Sequence, residues 1–458
     1  MTSVAAAGPR GVELARVMWA MRSDPLLPWL QLFRDYGDVV QARVPGIHQF
    51  AIYRPEHVEH VLVTNQDNYG KGAHYDIYAA ALGRGLVTSG GELWRRQRRL
   101  VQPMFAKRHL EVFGAGMLGA AEHMLAGWDR RPDGFELDVA AAMLSLTFDV
   151  VGRTLFGSDL TDRVRATVDA AMAEVLTELV AASVSPLTWI ASAAPGVTME
   201  QALRLRPLPQ RRLRSTLERL DACIAELIER RRRDGNGVGR DLLDLLLSAR
   251  DADGAPMPDR QVRDELVTFL MAGHETIANA IAWTWALLSR HPDARERVHD
   301  ELDRQLAGRT PSYADADALP WTRAVVQETL RLYPPIWGVP RQALADDVIG
   351  DHHVPAGATV AVLIYATHRD PTAWPNPEGF DPERFLGPGR PARGAYVPFA
   401  AGRRGCIGST FALTEAVLLT AAIAQRYRLD LTPGVQPQPE ALLTLRPRNG
   451  VPMAARRR

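Results

Sequence analysis

Cys406 is one of two cysteines in the chain, and it stands in FAAGRRGCIG (399–408), among Gly402, Gly405 and Gly408 and behind Arg403 and Arg404. In an extended hairpin, residues two apart face one side, so Arg404 and Cys406 are expected to point the same way. A guanidinium beside a thiol favours the thiolate. The stretch STFALTEAVLLTAAIAQRY that follows predicts a helix, and its positive amino end adds to that pull. Glycines let a backbone approach a flat object and turn N–H groups onto the sulfur. A planar cofactor with a metal centre meets these demands. A cysteine in a glycine-rich turn without function is the plain alternative, but it leaves Arg404 unexplained.

A second unusual stretch is MAGHETIANA (271–280), where Gly273, His274, Glu275 and Thr276 interrupt an apolar run. Glycine inside a helix costs about 1 kcal/mol relative to alanine, so Gly273 is expected to make room for something large against the backbone. A tight helix crossing with Glu275 reaching water is the blander reading, and on these residues alone both stay open. His274 and Glu275 begin the zinc-protease pattern HExxH, but the second histidine falls on Ala278, so two imidazoles cannot face one metal from adjacent turns. Asp251, Asp253 and Gly254 lack the remaining oxygen ligands of a calcium loop.

The elements that must position these groups are mostly helical. From about residue 92 to 330 apolar residues recur at three and four, with breakers between the periodic stretches. Strands are expected only near the ends, most clearly QFAIYRP (49–55) and ATVAVLIYATH (358–368). The longest helical candidate, DRQVRDELVTFLMAGHETIANAIAWTWALLSRH, lies between Pro258 and Pro292, with Asp259 able to cap its start. At about 1.5 Å per residue it spans on the order of 50 Å. Being apolar almost all round in its second half, it is expected to run through the interior. RRRDGNGVGRD (231–241) and ARDADGAPMPD (249–259) read as solvated connections. No low-complexity linker divides the chain, so one compact unit over 1–458 is expected.

A formal net charge of +1 gives no global pull toward nucleic acid or acidic membranes, so any electrostatic recognition is local. Lysine occurs only at Lys71 and Lys107, arginine carrying the other positive charges. Cys223 and Cys406 make no disulfide framework, which suits a reducing cytoplasm. The amino-terminal stretch, interrupted by Arg10, Glu13, Arg16 and Arg22, has neither a spanning apolar run nor a signal-peptide core. A cytoplasmic protein without a membrane span is the expectation.

With these residues in view, the sequence resembles the cytochrome P-450 superfamily of heme-thiolate monooxygenases, of the bacterial, non-membrane type. Phe399, Gly402, Arg404, Cys406 and Gly408 match the heme-binding pattern Phe-x-x-Gly-x-Arg-x-Cys-x-Gly without a gap. The resemblance implies a mostly α fold with a small β region and a long central helix over heme b (iron protoporphyrin IX), with Cys406 as the axial ligand of the iron. Glu328 and Arg331 in QETLRLYPP match the Glu-x-x-Arg pair, with Arg384 in DPERF as third partner; in place of an ordinary surface contact, this implies a buried charge network. Ala272, Gly273, Glu275 and Thr276 match the oxygen-activation segment. There Gly273 would open a groove for dioxygen, Glu275 and Thr276 would manage protons, and a local widening of the helix is expected. Ile277 stands where many relatives carry a second hydroxyl residue.

Trp94 and Arg98 in ELWRRQRRL match the Trp-x-x-x-Arg pair of the heme propionates, and Arg341 in GVPRQA sits where relatives often place another propionate arginine. With Arg404 these give three guanidiniums for two carboxylates, and His74 is a further candidate. The expected activity is oxidation of a hydrophobic small molecule such as a terpenoid, fatty acid, steroid or macrolide, by a monomer. Electrons would come from a separate ferredoxin and ferredoxin reductase, since no flavin or iron–sulfur segment follows the last motif. Arg95, Arg96, Arg99 and Arg403 are the expected docking face. The pocket is expected to be lined by residues 72–88 and 180–200, Phe269, Ala272, Ile336 to Val339, and Leu443. A heme-binding sensor or carrier is the rival class, which Glu275 and Thr276 disfavour.

Overall fold

The computed structural model describes residues 5–44, 47–72, 74–157, 166–168, 170–171, 174, 209–233, 241–387, 389 and 391–458. Its organising element is the central helix Asp259–Arg290. Pro258, in extended conformation, is the residue before its first turn, and no side chain caps it. Asp259 is therefore the first helical residue rather than the cap, placed where the helix dipole favours a carboxylate. The helix ends at Arg290, and Pro292 opens the next one, Pro292–Leu306. All residues from Ile277 to Leu288 are buried, so this half does run through the core.

Among the helices packed against it, three frame the site. The crossing helix Val139–Phe156 starts at Asp138, whose side chain accepts the Ala140 N–H at 3.0 Å. By length and composition it could cross a membrane, but 67% of it is buried inside the protein, as befits a core helix. Pro320–Leu332 carries Glu328 and Arg331. Ser409–Arg426 begins immediately after Gly408, and its residues 414–424 are buried.

The β structure is small. In the main sheet the strand order is Val39–Val44, Ile47–Ile52, Thr359–Val362, Val339–Ala343, Tyr69–Gly70. Ile47–Ile52 runs parallel to Thr359–Val362, with Gln49 opposite Thr359, and the other pairs are antiparallel. Phe135–Asp138, Pro452–Arg457 and Tyr427–Leu431 form a second sheet. The strand at 135–138 lies within the stretch expected to be helical. Four residues are too few to display a period, and the strand exists because Pro452–Arg457 pairs with it.

The strand expected over 358–368 stops at Val362, and Ile364–Thr367 turns into a short helix. The Thr367 hydroxyl and N–H both bond the Leu363 carbonyl, at 3.0 and 2.9 Å, which closes that turn despite the β-branched composition. The connection 231–241 is not simply solvated. Arg231 is buried at the end of the helix Pro209–Arg233, with Nη1 2.8 Å from Asp241 and 2.5 Å from Asp244; residues 234–240 lie outside the described residues. Asp251 is used by its own turn, accepting the Ala255 N–H at 2.8 Å and the Asp253 N–H at 3.1 Å. Among the described residues no acidic or histidine cluster could hold a metal ion. Cys223 and Cys406 form no disulfide.

Candidate active site

The Cys406 loop is a turn rather than a hairpin strand. Gly402–Arg404 form a single 3-10 turn, and the Cys406 N–H then donates to the Phe399 carbonyl at 2.9 Å. Gly402 has φ +67°, and a Cβ there would come within 1.9 Å of the Leu62 carbonyl oxygen. That glycine thus lets the loop seat on the 60–64 turn, a different task from exposing backbone to a flat group. Because the loop turns, Arg404 and Cys406 do not share a strand face. Arg404 donates to the Ser89 carbonyl at 2.8 Å, with its guanidinium 4.0 Å from the centre of the Trp94 ring. The guanidinium that favours the thiolate is Arg98, which also donates to the Gly405 carbonyl at 3.0 Å.

Cys406 is surrounded by protein yet keeps accessible surface. Burial pushes its thiol up, against the pull of the Gly408 N–H and Arg98. A bound metal would reverse that balance, since a coordinating thiol is deprotonated outright. Ala272 on the central helix also keeps accessible surface.

Near the loop, cations gather. Arg341 is buried and donates to the Tyr75 hydroxyl at 3.4 Å and to the Pro340 carbonyl at 3.0 Å. Lys71 lies over the Tyr75 ring, its Nζ 3.5 Å from the centroid. Burial and the charges of Arg341 and Arg404 push the Lys71 amine well down, and burial with Arg341 holds Arg404 at about 10. Among the described residues no carboxylate pairs with Lys71, Arg98, Arg341 or Arg404. Enclosed like charges without counter-ions are unfavourable, and an acidic group is what the cluster lacks. A planar metal group carrying two carboxylates supplies both the partner for the cations and the metal for the thiol, so these residues fit heme. Lys71 was missed by the motifs because a lone lysine in a loop carries no pattern. Its rarity in an arginine-rich chain was the available signal. His74 begins the helix His74–Leu82, but its side chain lies outside the described residues.

On the central helix the expected groups separate. The position of a Cβ on Gly273 is 3.2 Å from Val151 of the crossing helix, so Gly273 serves a helix crossing and Ala272 offers the accessible surface. The helix is α throughout, without the expected widening. The Thr276 hydroxyl donates to the Ala272 carbonyl at 2.7 Å, following the helical ladder. His274 faces the core, its ring edge-on to Phe148 at 5.6 Å, and burial lowers it to about 4, hence neutral. Glu275 accepts from Thr444 at 2.7 Å instead of reaching water freely.

Two networks hold the frame. Glu328 and Arg331, both fully buried, meet through two contacts of 2.7 and 2.8 Å, and Arg384 lies 3.5 Å from Glu328. His368, pushed down to about 3 mainly by burial, is neutral. Its Nδ1 meets the Arg331 carbonyl at 3.1 Å, and its Nε2 accepts the Val397 N–H at 2.9 Å just before the Cys406 loop.

The second network pins the segment 82–89. Arg84 N–H donates to Asp264 at 2.8 Å and Leu86 N–H to Glu265 at 3.1 Å. Burial, aided by Asp264, pushes Glu265 from its ordinary 4.5 up to about 7, against the Leu86 N–H and Gln261. The folded protein therefore holds this proton longer than the unfolded chain, and stability falls as pH rises between those values. Glu265→Gln is expected to abolish that component. Urea unfolding at pH 5 and pH 8 should show the variant gaining on the parent at the higher pH, by roughly 3 kcal/mol at most.

A family model described as Cytochrome P450 matches residues 16–451. The chain is a cytochrome P450. This P450 is 37% identical over 432 residues to the putative cytochrome P450 132 of Mycobacterium tuberculosis, covering 92% of this chain and 91% of that protein. It is 37% identical over 430 residues to cyclooctat-9-en-7-ol 5-monooxygenase of Streptomyces melanosporofaciens, covering 93% and 90%. Its fold matches the crystal structure of the cytochrome P450DA heme domain with a TM-score of 0.87 and 28% identity, over 100% of this chain and 98% of that one. The P450 is accordingly a monooxygenase with heme b as its cofactor.

Proposed function

We propose that this P450 hydroxylates a polycyclic terpenoid, as a cytoplasmic monomer forming one heme-thiolate unit over residues 1–458. The observation that carries the reading is the accessible Cys406 thiol beside cations that, among the described residues, have no acidic partner, taken with the likeness to cyclooctat-9-en-7-ol 5-monooxygenase. Heme b, when bound, activates dioxygen using two electrons and two protons. Cys406 would hold its iron; Arg98, Arg341, Arg404 and Lys71 would hold its carboxylates, with the Trp94 ring against the Arg404 guanidinium. Ala272 leaves room on the central helix, while Phe399 and Gly408 fix the loop through one carbonyl and one N–H. Phe269, Ile336 to Val339 and Leu443 are partly accessible and mostly apolar, in keeping with an apolar substrate. The segment 180–200 lies outside the described residues.

Thr276 would pass protons from its hydroxyl, whose own proton rests on the Ala272 carbonyl. Thr276→Ala is expected to preserve heme loading while product formed per dioxygen consumed falls severalfold and peroxide rises. Unchanged coupling would assign proton handling to another group. Electrons are proposed to come from a ferredoxin and its reductase. Of the arginines expected to dock it, Arg96 is engaged by Asp251 at 2.6 Å, Arg95 by Glu92 and Arg403 by Asp67, while Arg99 donates to the Arg95 carbonyl at 3.4 Å, so docking at the first three would exchange carboxylate partners. Spin-state titration of the purified protein against polycyclic terpenoids and linear fatty acids tests the substrate class. A response to fatty acids alone would overturn the terpenoid reading.

A further inference from the structure

Glu275 is tied to a turn far along the chain. Thr444 lies between the strands Gln438–Ala441 and Leu445–Arg448, and its hydroxyl donates to Glu275 Oε1 at 2.7 Å. The same hydroxyl oxygen accepts from Asn279 Nδ2 at 3.0 Å, one helical turn beyond Glu275. Because Asn279 supplies the incoming proton, the hydroxyl's own proton is directed at the carboxylate. Thr444 and Asn279 are both buried, so neither bond competes freely with water.

The turn itself is fixed from outside. Trp337 Nε1 donates to the Leu442 carbonyl at 2.9 Å, the Leu442 N–H to the Thr444 carbonyl at 3.0 Å, and the Leu445 N–H to the Pro335 carbonyl at 2.8 Å. Ile336 and Leu443, expected to line the pocket, belong to these same two segments. The charged group acting on Glu275 is Arg446 of the Leu445–Arg448 strand, itself paired with Glu440 at 2.8 Å. From its own helix, neighbouring His274 faces Phe148 instead.

We propose that Thr444 is a positioning residue that holds the Glu275 carboxylate on the 442–445 turn, oriented by Asn279, so that Glu275 gives or takes a proton at Oε1 only as this bond loosens. This takes over the task that Ile277, buried in the core, cannot perform. It rests on the monooxygenase reading and on the proton-handling role expected of Glu275 from the resemblance, but its geometry concerns this chain alone. Burial raises Glu275 from the usual carboxylate range, and Thr444 and Arg446 oppose that rise. Removing the hydroxyl must therefore raise it further.

The test is infrared titration of the Glu275 carboxyl band, assigned by its loss in Glu275→Gln, in Thr444→Val, Thr444→Ser and the parent. Thr444→Val is expected to move the midpoint upward by about one pH unit, a tenfold gain in proton affinity, and Thr444→Ser to restore it. Product per dioxygen should fall and its pH profile should shift the same way in Thr444→Val. A merely structural role would lower thermal stability and leave the band in place. An unmoved midpoint in Thr444→Val, or in Thr444→Ala should valine not fold, overturns the proposal. The carbonyl difference spectrum of the same samples reports thiolate ligation independently, so failure of the heme reading would be seen separately.

Discussion

Cys406→Ser is expected to abolish the red-shifted Soret band of the reduced, carbon-monoxide-treated protein and to reduce monooxygenase turnover to background. Only the thiolate supplies the electron density on which this chemistry depends. The loop is built to tolerate a negative sulfur against the cost of burial, using the Gly408 N–H and the Arg98 guanidinium. Those two groups offset only part of the burial that raises the thiol, and a bound metal completes its deprotonation, whereas an alcohol starts far less acidic than a thiol. Serine should still let heme enter, because Lys71, Arg98, Arg341 and Arg404 are untouched, so absorbance near the ordinary Soret position would accompany the loss. A variant that keeps the shifted band would remove Cys406 from the iron and, with it, the whole assignment of the site.

The second large effect lies in the core. Arg331→Met is expected to cost about 3–5 kcal/mol, since the buried Glu328 carboxylate would lose its two short charged contacts and keep only Arg384, at 3.5 Å, as a cationic neighbour. Arg331 does more than pair: it donates to the carbonyls of His368, Pro377 and Gly379 at 2.9, 2.6 and 2.8 Å. Those carbonyls would be orphaned together. Glu328→Gln should be milder, because an amide oxygen can still accept from Arg331 and from the Asp381 N–H, which bonds Glu328 Oε1 at 2.9 Å. Urea unfolding of both variants, followed by heme absorbance and by backbone signal, reads the order. Equal stability of Arg331→Met and the parent would show that the network is dispensable.

Much of this was legible because strong local signals were not overridden. Pro258 and Pro292 bracket the central helix, and the cysteine pattern locates the loop without reference to any distant residue. What stayed hidden depends on contacts between distant segments. Gly402 and Gly273 are glycines because Leu62 and Val151 stand in the way of a side chain, and no local pattern announces an approaching neighbour. Arg98, Arg404 and Lys71 take their roles from the folding of the loop back over the Trp94 helix. His368 and Thr444 look like ordinary loop residues until Arg331 and Glu275 are brought to them. The strand expected beyond Val362 gives way for a related reason, since β-branched composition yields to a turn closed on the Leu363 carbonyl.

The parallel pairing of Gln49 with Thr359 joins segments about three hundred residues apart, and such distant contacts form late and slowly. During synthesis the early strand therefore emerges long before its neighbour exists and must wait, one edge bare, for most of the chain. The cysteine-bearing loop, which rests on the 60–64 turn through Gly402, leaves the ribosome later still. Cofactor capture thus belongs to the nearly finished polypeptide, and fragments released early should be colourless.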